Sequence, residues 1–305
     1  CSIGISSING EQHNSEIYLQ QADIAMFAAK EKGRNRVHIF KHNDEVTNSL
    51  KQSFDWVQKI QQALVEDNIE LHFQPIIDVK TREVLCYEAL VRLIIEGQMI
   101  FPNDFIPSLE KVEDMNMLDR HVIGKAFSVM DKNPILTRLA INLSAQAFVD
   151  ESLFSYIEEK LLTYNIDPSK IVFELTESAS LSNITGTQRL VGKLSDLGCH
   201  FSIDDFGTGF STFAYLKEIP AGSVKIDGSF VKDMTKNPID AILVKAINET
   251  AHALNKTTVA EFVEDEETLE KLAELGVNYA QGYYIDKPMS IEQINTKAGQ
   301  SNSAA

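Results

Sequence analysis

Along most of this chain, short apolar runs of strand character alternate with helical patterns, and nearly every run closes on a carboxylate, an amide or an ammonium group. The runs are Ile69 to Pro75, Val84 to Ile94, Leu139 to Leu143, Ile171 to Leu175, His200 to Ile203, Ser223 to Ile226, Thr258 to Ala260 and Tyr279 to Gln281. Asp78-Val79-Lys80-Thr81 is turn chemistry, so the first two runs form a hairpin. Amphipathic helices separate the later runs, most clearly at Leu190, Val191, Leu194 and Leu197 before Gly198, and at Leu243, Ile247, Ala251 and Leu254 before Asn255. Eight strands alternating with helices over one barrel's length predict an α/β fold, a (β/α)8 TIM-type barrel rather than an open doubly wound sheet. No G-x-G-x-x-G loop competes with that reading.

The chemistry of such a barrel sits at the C-terminal ends of its strands, which makes the polar residues there the functional candidates. They are Glu88, Asn142, Glu174 with Glu177, the adjacent pair Asp204 and Asp205, Lys225 with Asp227, Glu261 with Glu264, and Gln281. Taken singly, a Glu after a strand is more often a solvated loop charge or a helix cap than a ligand. Together, acids that repel by about 1 kcal/mol per pair even in water are tolerated at one rim mainly when divalent cations lie between them. In a regular strand Asp204 and Asp205 point to different sides, so one can bridge two ions while the other holds one. Lys225, between Val224 and Ile226, reads equally as a barrel lysine paired with a carboxylate and as a group that orients a water beside metal. Asp205-Phe206-Gly207 spells the metal-binding tripeptide of protein kinases but lacks the accompanying loops, so we treat it as coincidence. Gly207 and Gly209 instead predict a mobile loop beside the site. The barrel alone also admits a lyase or isomerase that holds one Mg²⁺ for proton abstraction next to a carboxylate, although adjacent acids favour two ions.

At 305 residues and 44% hydrophobic, the chain has material for one large domain and a smaller piece. A formal charge of -16 argues against a broad surface for a nucleic-acid polymer, so a phosphate substrate must be small and cation-assisted. Cys1, Cys86 and Cys199 are widely spaced without a C-x-x-C, which suggests neither a disulfide framework nor a zinc site and fits a cytoplasmic setting. The longest apolar run, Ala89 to Ile95, contains Arg92 and is too short for a membrane segment. Residues 1 to 40 read as a small α/β piece with a helix from Ser15 stopped near Gly33, and residues 41 to 66 as a connecting helix with Leu50, Phe54, Val57, Ile60 and Leu64 on one face. The barrel is expected over 67 to 293, and the small, polar residues 294 to 305 as a disordered tail. A first strand with nothing before it is expected of a fragment of a longer protein.

Phe73-Gln74-Pro75, Tyr87-Glu88-Ala89-Leu90-Val91-Arg92, Ile141-Asn142-Leu143-Ser144, Glu174-Leu175-Thr176-Glu177, Asp204-Asp205-Phe206-Gly207-Thr208-Gly209, Lys225-Ile226-Asp227 and Gln281-Gly282-Tyr283 stand in one order. In these motifs the chain resembles the EAL-domain family of cyclic di-GMP phosphodiesterases, whose barrel has an antiparallel first strand. The resemblance implies that Glu88, Asn142, Glu174 and Asp204 hold one Mg²⁺ or Mn²⁺, that Asp204, Asp205 and Glu261 hold a second, and that Lys225 contacts the attacking water. It further implies that Glu177 holds the loop from Asp205 to Ser211, that Gln74, Leu90 and Arg92 line the substrate groove, and that Glu264, Asp227 and Gln281 support the site. The implied reaction opens cyclic di-GMP to linear pGpG by metal activation of water; Glu261 and Lys225 both stand as candidate bases. The alternative is a receptor that binds cyclic di-GMP without cutting it. The family often dimerises through the loop near Asp205, so a homodimer is an expectation. Residues 1 to 40 are similar to the end of GGDEF diguanylate cyclases through Ser2-Ile3-Gly4, Ala22-Asp23-Ile24-Ala25-Met26 and Ala29-Lys30-Glu31-Lys32-Gly33-Arg34-Asn35, without the active-site half. Two positions depart from the EAL pattern: Phe262 stands where Val-Ala-Glu-Gly-Val-Glu has Gly, and Gly228 where Arg often follows Lys-Ile-Asp. If the backbone at 262 needs positive φ, the Phe is expected to displace Glu261 and weaken the second metal.

Overall fold

The computed structural model describes residues 1–8, 15–41, 45–112, 114–208 and 214–303. They form two compact units, one made of residues 1–70 and 92–115, the other of residues 71–91 and 116–305.

In the first unit, β1 (Ile3–Ile5) and β2 (Val37–Ile39) pair in parallel, joined through α1 (Ser15–Glu31). Helix α2 (Glu45–Val65) buries Leu50, Ser53, Val57, Ile60 and Ala63, the three- and four-residue spacing of one helical face. Its Phe54 meets Phe27 of α1 edge-on, ring centroids 5.5 Å apart. Strands β3 (Ile69–Asp78) and β4 (Val84–Ile95) come next and belong mostly to the second unit. The end of β4 turns back into β5 (Gln98–Ile100) through Glu96 and Gly97, both at positive φ, a two-residue turn of the kind that matches strand twist. After β5, α3 (Pro102–Lys111) brings Phe105 against Trp56 of α2 at 6.2 Å.

The second unit continues with α4 (Asn116–Lys132), β6 (Leu139–Leu143), α5 (Leu153–Thr163), β7 (Ile171–Thr176), α6 (Glu177–Ser182), α7 (Ile184–Asp196) and β8 (His200–Phe206). There follow α8 (Ala214–Glu218), β9 (Ser223–Ile226), α9 (Gly228–Val231), α10 (Pro238–Ala253), β10 (Thr257–Ala260), α11 (Glu266–Glu274), β11 (Tyr279–Ala280) and α12 (Ile291–Ser303). Strands β4, β6, β7, β8, β9, β10 and β11 run parallel in that order, and β3 closes the ring by pairing with β4 and, antiparallel, with β11. This is the eight-stranded barrel with an antiparallel first strand. The strands are covered on both faces, which is why runs such as Ile171-Val172-Phe173 are continuously apolar instead of alternating.

Helix ends follow local chemistry. Asn237 caps α10 by accepting from the Ile239 N–H at 3.1 Å, with Pro238 at the first helical position. Asn255 and Gly198, both at positive φ, end the two helices predicted to stop there. The buried face of α10 is turned from the predicted one: Val244, Ile247, Asn248 and Ala251 are inside and Leu243 is exposed. Asn248 can face inward because its amide donates to the Leu275 carbonyl and accepts from the Thr258 hydroxyl, a satisfaction that hydropathy does not register. The tail also differs from expectation, since α12 occupies most of residues 294–305. Ile294 is buried, Asn295 bonds Asn133, and Lys297 pairs with Asp286, so a few anchors order a segment whose composition alone suggested disorder.

Candidate active site

Strand pleating builds the barrel interior in two tiers. Residues two apart on a strand share a face, so Cys86, Ala140, Val172 and Ser202 sit one step below Glu88, Asn142, Glu174 and Asp204. Ile76, Cys86, Ala140, Val172 and Val259 form an apolar floor. The thiol of Cys86 is pushed up to about 12, first by burial and then by the Glu174 charge, so it is an inert part of that floor. Above it the polar tier converges.

The centre of that tier is Lys225, 1% exposed on β9. Its Nζ lies 3.4 Å from Glu88 Oε2, 3.0 Å from Glu174 Oε2, 3.1 Å from Asp204 Oδ1 and 2.9 Å from Glu261 Oε1. Around this ammonium, Glu88, Glu174 and Asp204 offer oxygens within 4.8 Å of one another, and so do Asp204, Asp205 and Glu261. The two triads overlap at Asp204. Asn142 joins the first by donating to Glu88 Oε1 at 2.7 Å. The other oxygen of Glu88 accepts from Gln281 Nε2 at 2.6 Å; Gln281 donates also to Gln74 Oε1, and Gln74 in turn to the Asp286 carbonyl. Gln281 Oε1 and Glu177 Oε1 are buried without a hydrogen-bond partner.

Asp204 and Asp205 do not part to opposite sides as a regular strand would require. The β8–β9 register shifts between Ile203 and Phe206, and Asp205 adopts φ 54°. This bulge turns both carboxylates toward the same cluster, and Asp204 further accepts from the Asp205 N–H at 3.0 Å. Glu177, buried at the start of α6, accepts from the Gly207 N–H at 2.9 Å. Gly209 to Ser211, the rest of the predicted mobile loop, lie outside the described residues.

One cation among so many acids leaves a surplus of negative charge, and the pKa values register it. Burial raises Glu174 well above the ordinary carboxylate range against the pull of Lys225, with the charges of Glu88 and Asp204 adding to the rise. Glu88, which burial would also raise, is instead held low by Lys225 and by the hydrogen bonds from Gln281 and Asn142. Burial brings Glu261 to about 8, Lys225 opposing, and desolvation plus the charges of Asp204 and Asp227 bring Asp205 to about 6. Lys225 would be lowered by burial alone, but Asp204, Glu174, Glu261 and Glu88 together hold it well above its usual value. Protons and one ammonium thus offset charge that hard divalent cations would offset better, and an all-oxygen donor set suits Mg²⁺, Mn²⁺ or Ca²⁺.

Not every predicted residue enters the cluster. Glu264 is exposed, Asp227 caps α9 by accepting from the Ser229 N–H at 2.9 Å, and Leu90 is half-buried. Arg92 is buried, with its guanidinium 5.2 Å from the centroid of the Phe101 ring. Phe262 does take the left-handed conformation expected to be difficult, at φ 54°, yet Glu261 keeps its place beside Lys225. The backbone there is held from both sides: the Glu261 N–H donates to the Ile226 carbonyl and the Val263 N–H to the Gln281 carbonyl. Glu261 is therefore not displaced as expected: these bonds hold the backbone on either side of Phe262 in place. Individual motifs did not disclose that Phe262 lies directly on Gly228, where an added Cβ would stand 2.7 Å from the Phe262 Cβ. The paired departures from the family pattern were the available signal.

A closed (β/α)8 barrel with two carboxylate triads around a buried lysine at the C-terminal ends of its strands defines an acid-mouthed barrel of the kind that handles metals. Residues 57–288 match the EAL domain, and the chain belongs to that family. It is 34% identical over 308 residues to the cyclic di-GMP phosphodiesterase PdeB of Shewanella oneidensis, an alignment covering 98% of this chain and 36% of PdeB. It is 32% identical over 298 residues to the bifunctional diguanylate cyclase/cyclic di-GMP phosphodiesterase MucR of Pseudomonas aeruginosa, covering 96% of this chain and 43% of MucR. The chain thus spans less than half the length of these relatives. The solved PaMucR phosphodiesterase in complex with c-di-GMP superposes with a TM-score of 0.73 at 32% identity, covering 79% of this chain and 99% of that one. Among the described residues no helix is long and apolar enough to cross a membrane.

Proposed function

We propose that this chain is a metal-dependent phosphodiesterase that hydrolyses cyclic di-GMP to linear pGpG. The observation that carries the reading is the pair of carboxylate triads sharing Asp204, supported by relatives whose names state this activity. Glu88, Asn142, Glu174 and Asp204 would hold one Mg²⁺ or Mn²⁺, and Asp204, Asp205 and Glu261 a second. Such a pair, when bound, supplies Lewis-acid activation of water and neutralises charge at the phosphodiester. The chain's own residues set the geometry. Lys225 gathers the carboxylates and is placed to contact the water; held as an ammonium by four acids it has no free pair to accept a proton, which leaves Glu261 of the two candidate bases as the group positioned to take it. Gln74 and Gln281 orient Glu88, Leu90 forms a wall of the groove, and Glu177 tethers the loop after Asp205 through Gly207. Asp227 and Glu264 support the rim.

Residues 1–40 are read as the end of a GGDEF domain, which the reach of the MucR alignment into this segment supports; residues 41–66 connect it to the EAL barrel. A homodimer through the loop near Asp205 and a cytoplasmic location, in keeping with the free thiols of Cys1, Cys86 and Cys199, complete the reading. The test is release of pGpG from cyclic di-GMP with Mn²⁺ and with EDTA, in wild type and Glu88→Ala. Turnover confined to metal-loaded wild type is expected. Tight binding without turnover under every condition would replace the enzyme with a receptor.

A further inference from the structure

Phe262 combines three features that seldom meet. Its backbone sits in a region that bulky side chains avoid. The residue is 59% exposed although it directly follows Glu261 of the acid cluster. And its side chain is steered by Gly228, over which it lies so closely that no side chain at 228 would fit. Strained residues persist where the surroundings force them and the site uses them. Here the hydrogen bonds of Glu261 and Val263 do the forcing, and they would hold a glycine, the residue of the family pattern, with less strain. What the Phe adds is an aromatic face at the rim, lying against Gly228 on one side. An exposed ring backed by Gly228, next to a site for a small nucleotide, is the arrangement on which bases stack.

The geometry points to Phe262 as a base-stacking residue that sets this chain's affinity for one guanine of a cyclic dinucleotide. The inference rests on the phosphodiesterase reading, and Gly228 is the clearance that makes it possible. Phe262 touches a base rather than the reacting phosphate, so it acts on substrate binding.

The experiment compares wild type with Phe262→Gly, Phe262→Leu and Phe262→Trp for cyclic di-GMP and for bis(p-nitrophenyl) phosphate, a diester with no purine, all with Mn²⁺. Losing one stacked base is expected to raise KM for cyclic di-GMP about tenfold in the Gly and Leu variants. Their kcat should move less than twofold, and the Trp variant should keep wild-type KM. The Trp variant also reports directly. Its indole fluorescence, above the background of the single native Trp56, should be quenched in the first turnover of cyclic di-GMP and unaffected by bis(p-nitrophenyl) phosphate. Unchanged KM in the Leu variant, or equal losses on both substrates, would overturn the stacking role while leaving the phosphodiesterase intact. A wild type that neither binds nor cleaves cyclic di-GMP would sink both.

Discussion

Lys225 shows how one side chain can hold a site together. It is an ammonium buried where burial alone would lower its pKa, kept charged by four carboxylates that would otherwise repel one another. Removing one partner from a buried charge network leaves the rest uncompensated, at about 3–5 kcal/mol. Lys225→Met is therefore expected to lower urea stability by that order in EDTA, and added Mn²⁺ to recover part of the loss; equal stability of mutant and wild type in EDTA would contradict the arrangement. Glu261 makes a second prediction. Its folded pKa of about 8 lies above the ordinary 4.5, so the folded state binds this proton more tightly than the unfolded state does. The contribution is favourable while Glu261 is protonated and is lost as pH rises from about 4.5 through 8. In EDTA, urea midpoints measured from pH 5 to 8.5 should fall with rising pH, and Glu261→Gln should flatten the slope.

At the scale of elements, strand ends and the turns after them decide where functional groups point. The bulge at the end of β8 is one case, and the meeting of the turns after β9 and β10 is another, since Phe262 occupies the space above Gly228. Gly228→Ala is expected to destabilise by about 1–3 kcal/mol through overpacking. Combining it with Phe262→Gly should recover most of that loss, a coupling read by a double-mutant cycle; additive losses would show that the two do not interact. The N-cap of α10 is a more local matter. Asn237→Ala, which removes the acceptor for the Ile239 N–H, should cost about 1 kcal/mol by chemical denaturation without changing catalysis.

For the whole molecule, the overlapping triads make metal binding and stability one problem. Asp204 belongs to both triads, so if two ions bind as proposed, Asp204→Asn is expected to lower the Mn²⁺ bound per chain to at most one by calorimetry, whereas Asp205→Asn should spare the first. Metal that binds only the folded state stabilises it by about 2.7 kcal/mol at a hundredfold excess over Kd, so wild-type Tm should rise on titration. The Asp204→Asn Tm should rise much less.

The barrel and the cast of its mouth could be read from chain order alone. Alternating strand and helix periods demand layered α/β packing, and acids such as Glu88, Glu174, Asp204 and Glu261 recur at strand ends, where that packing puts chemistry. Helix stops at Gly198 and Asn255 were equally legible, because left-handed termini are a local property of the residue. Which way those groups face depends on contacts made across the folded barrel. The turn of both Asp204 and Asp205 into one cluster depends on a register shift against β9, the inward turn of Asn248 on partners 27 and 10 residues away, and the order of α12 on the burial of Ile294 and on Asn295 and Lys297 finding Asn133 and Asp286. The seat of Phe262 on Gly228 belongs to the same class. Periodicity reports what a residue prefers among its chain neighbours, while burial, charge compensation and steric exclusion depend on neighbours that only the closed barrel supplies.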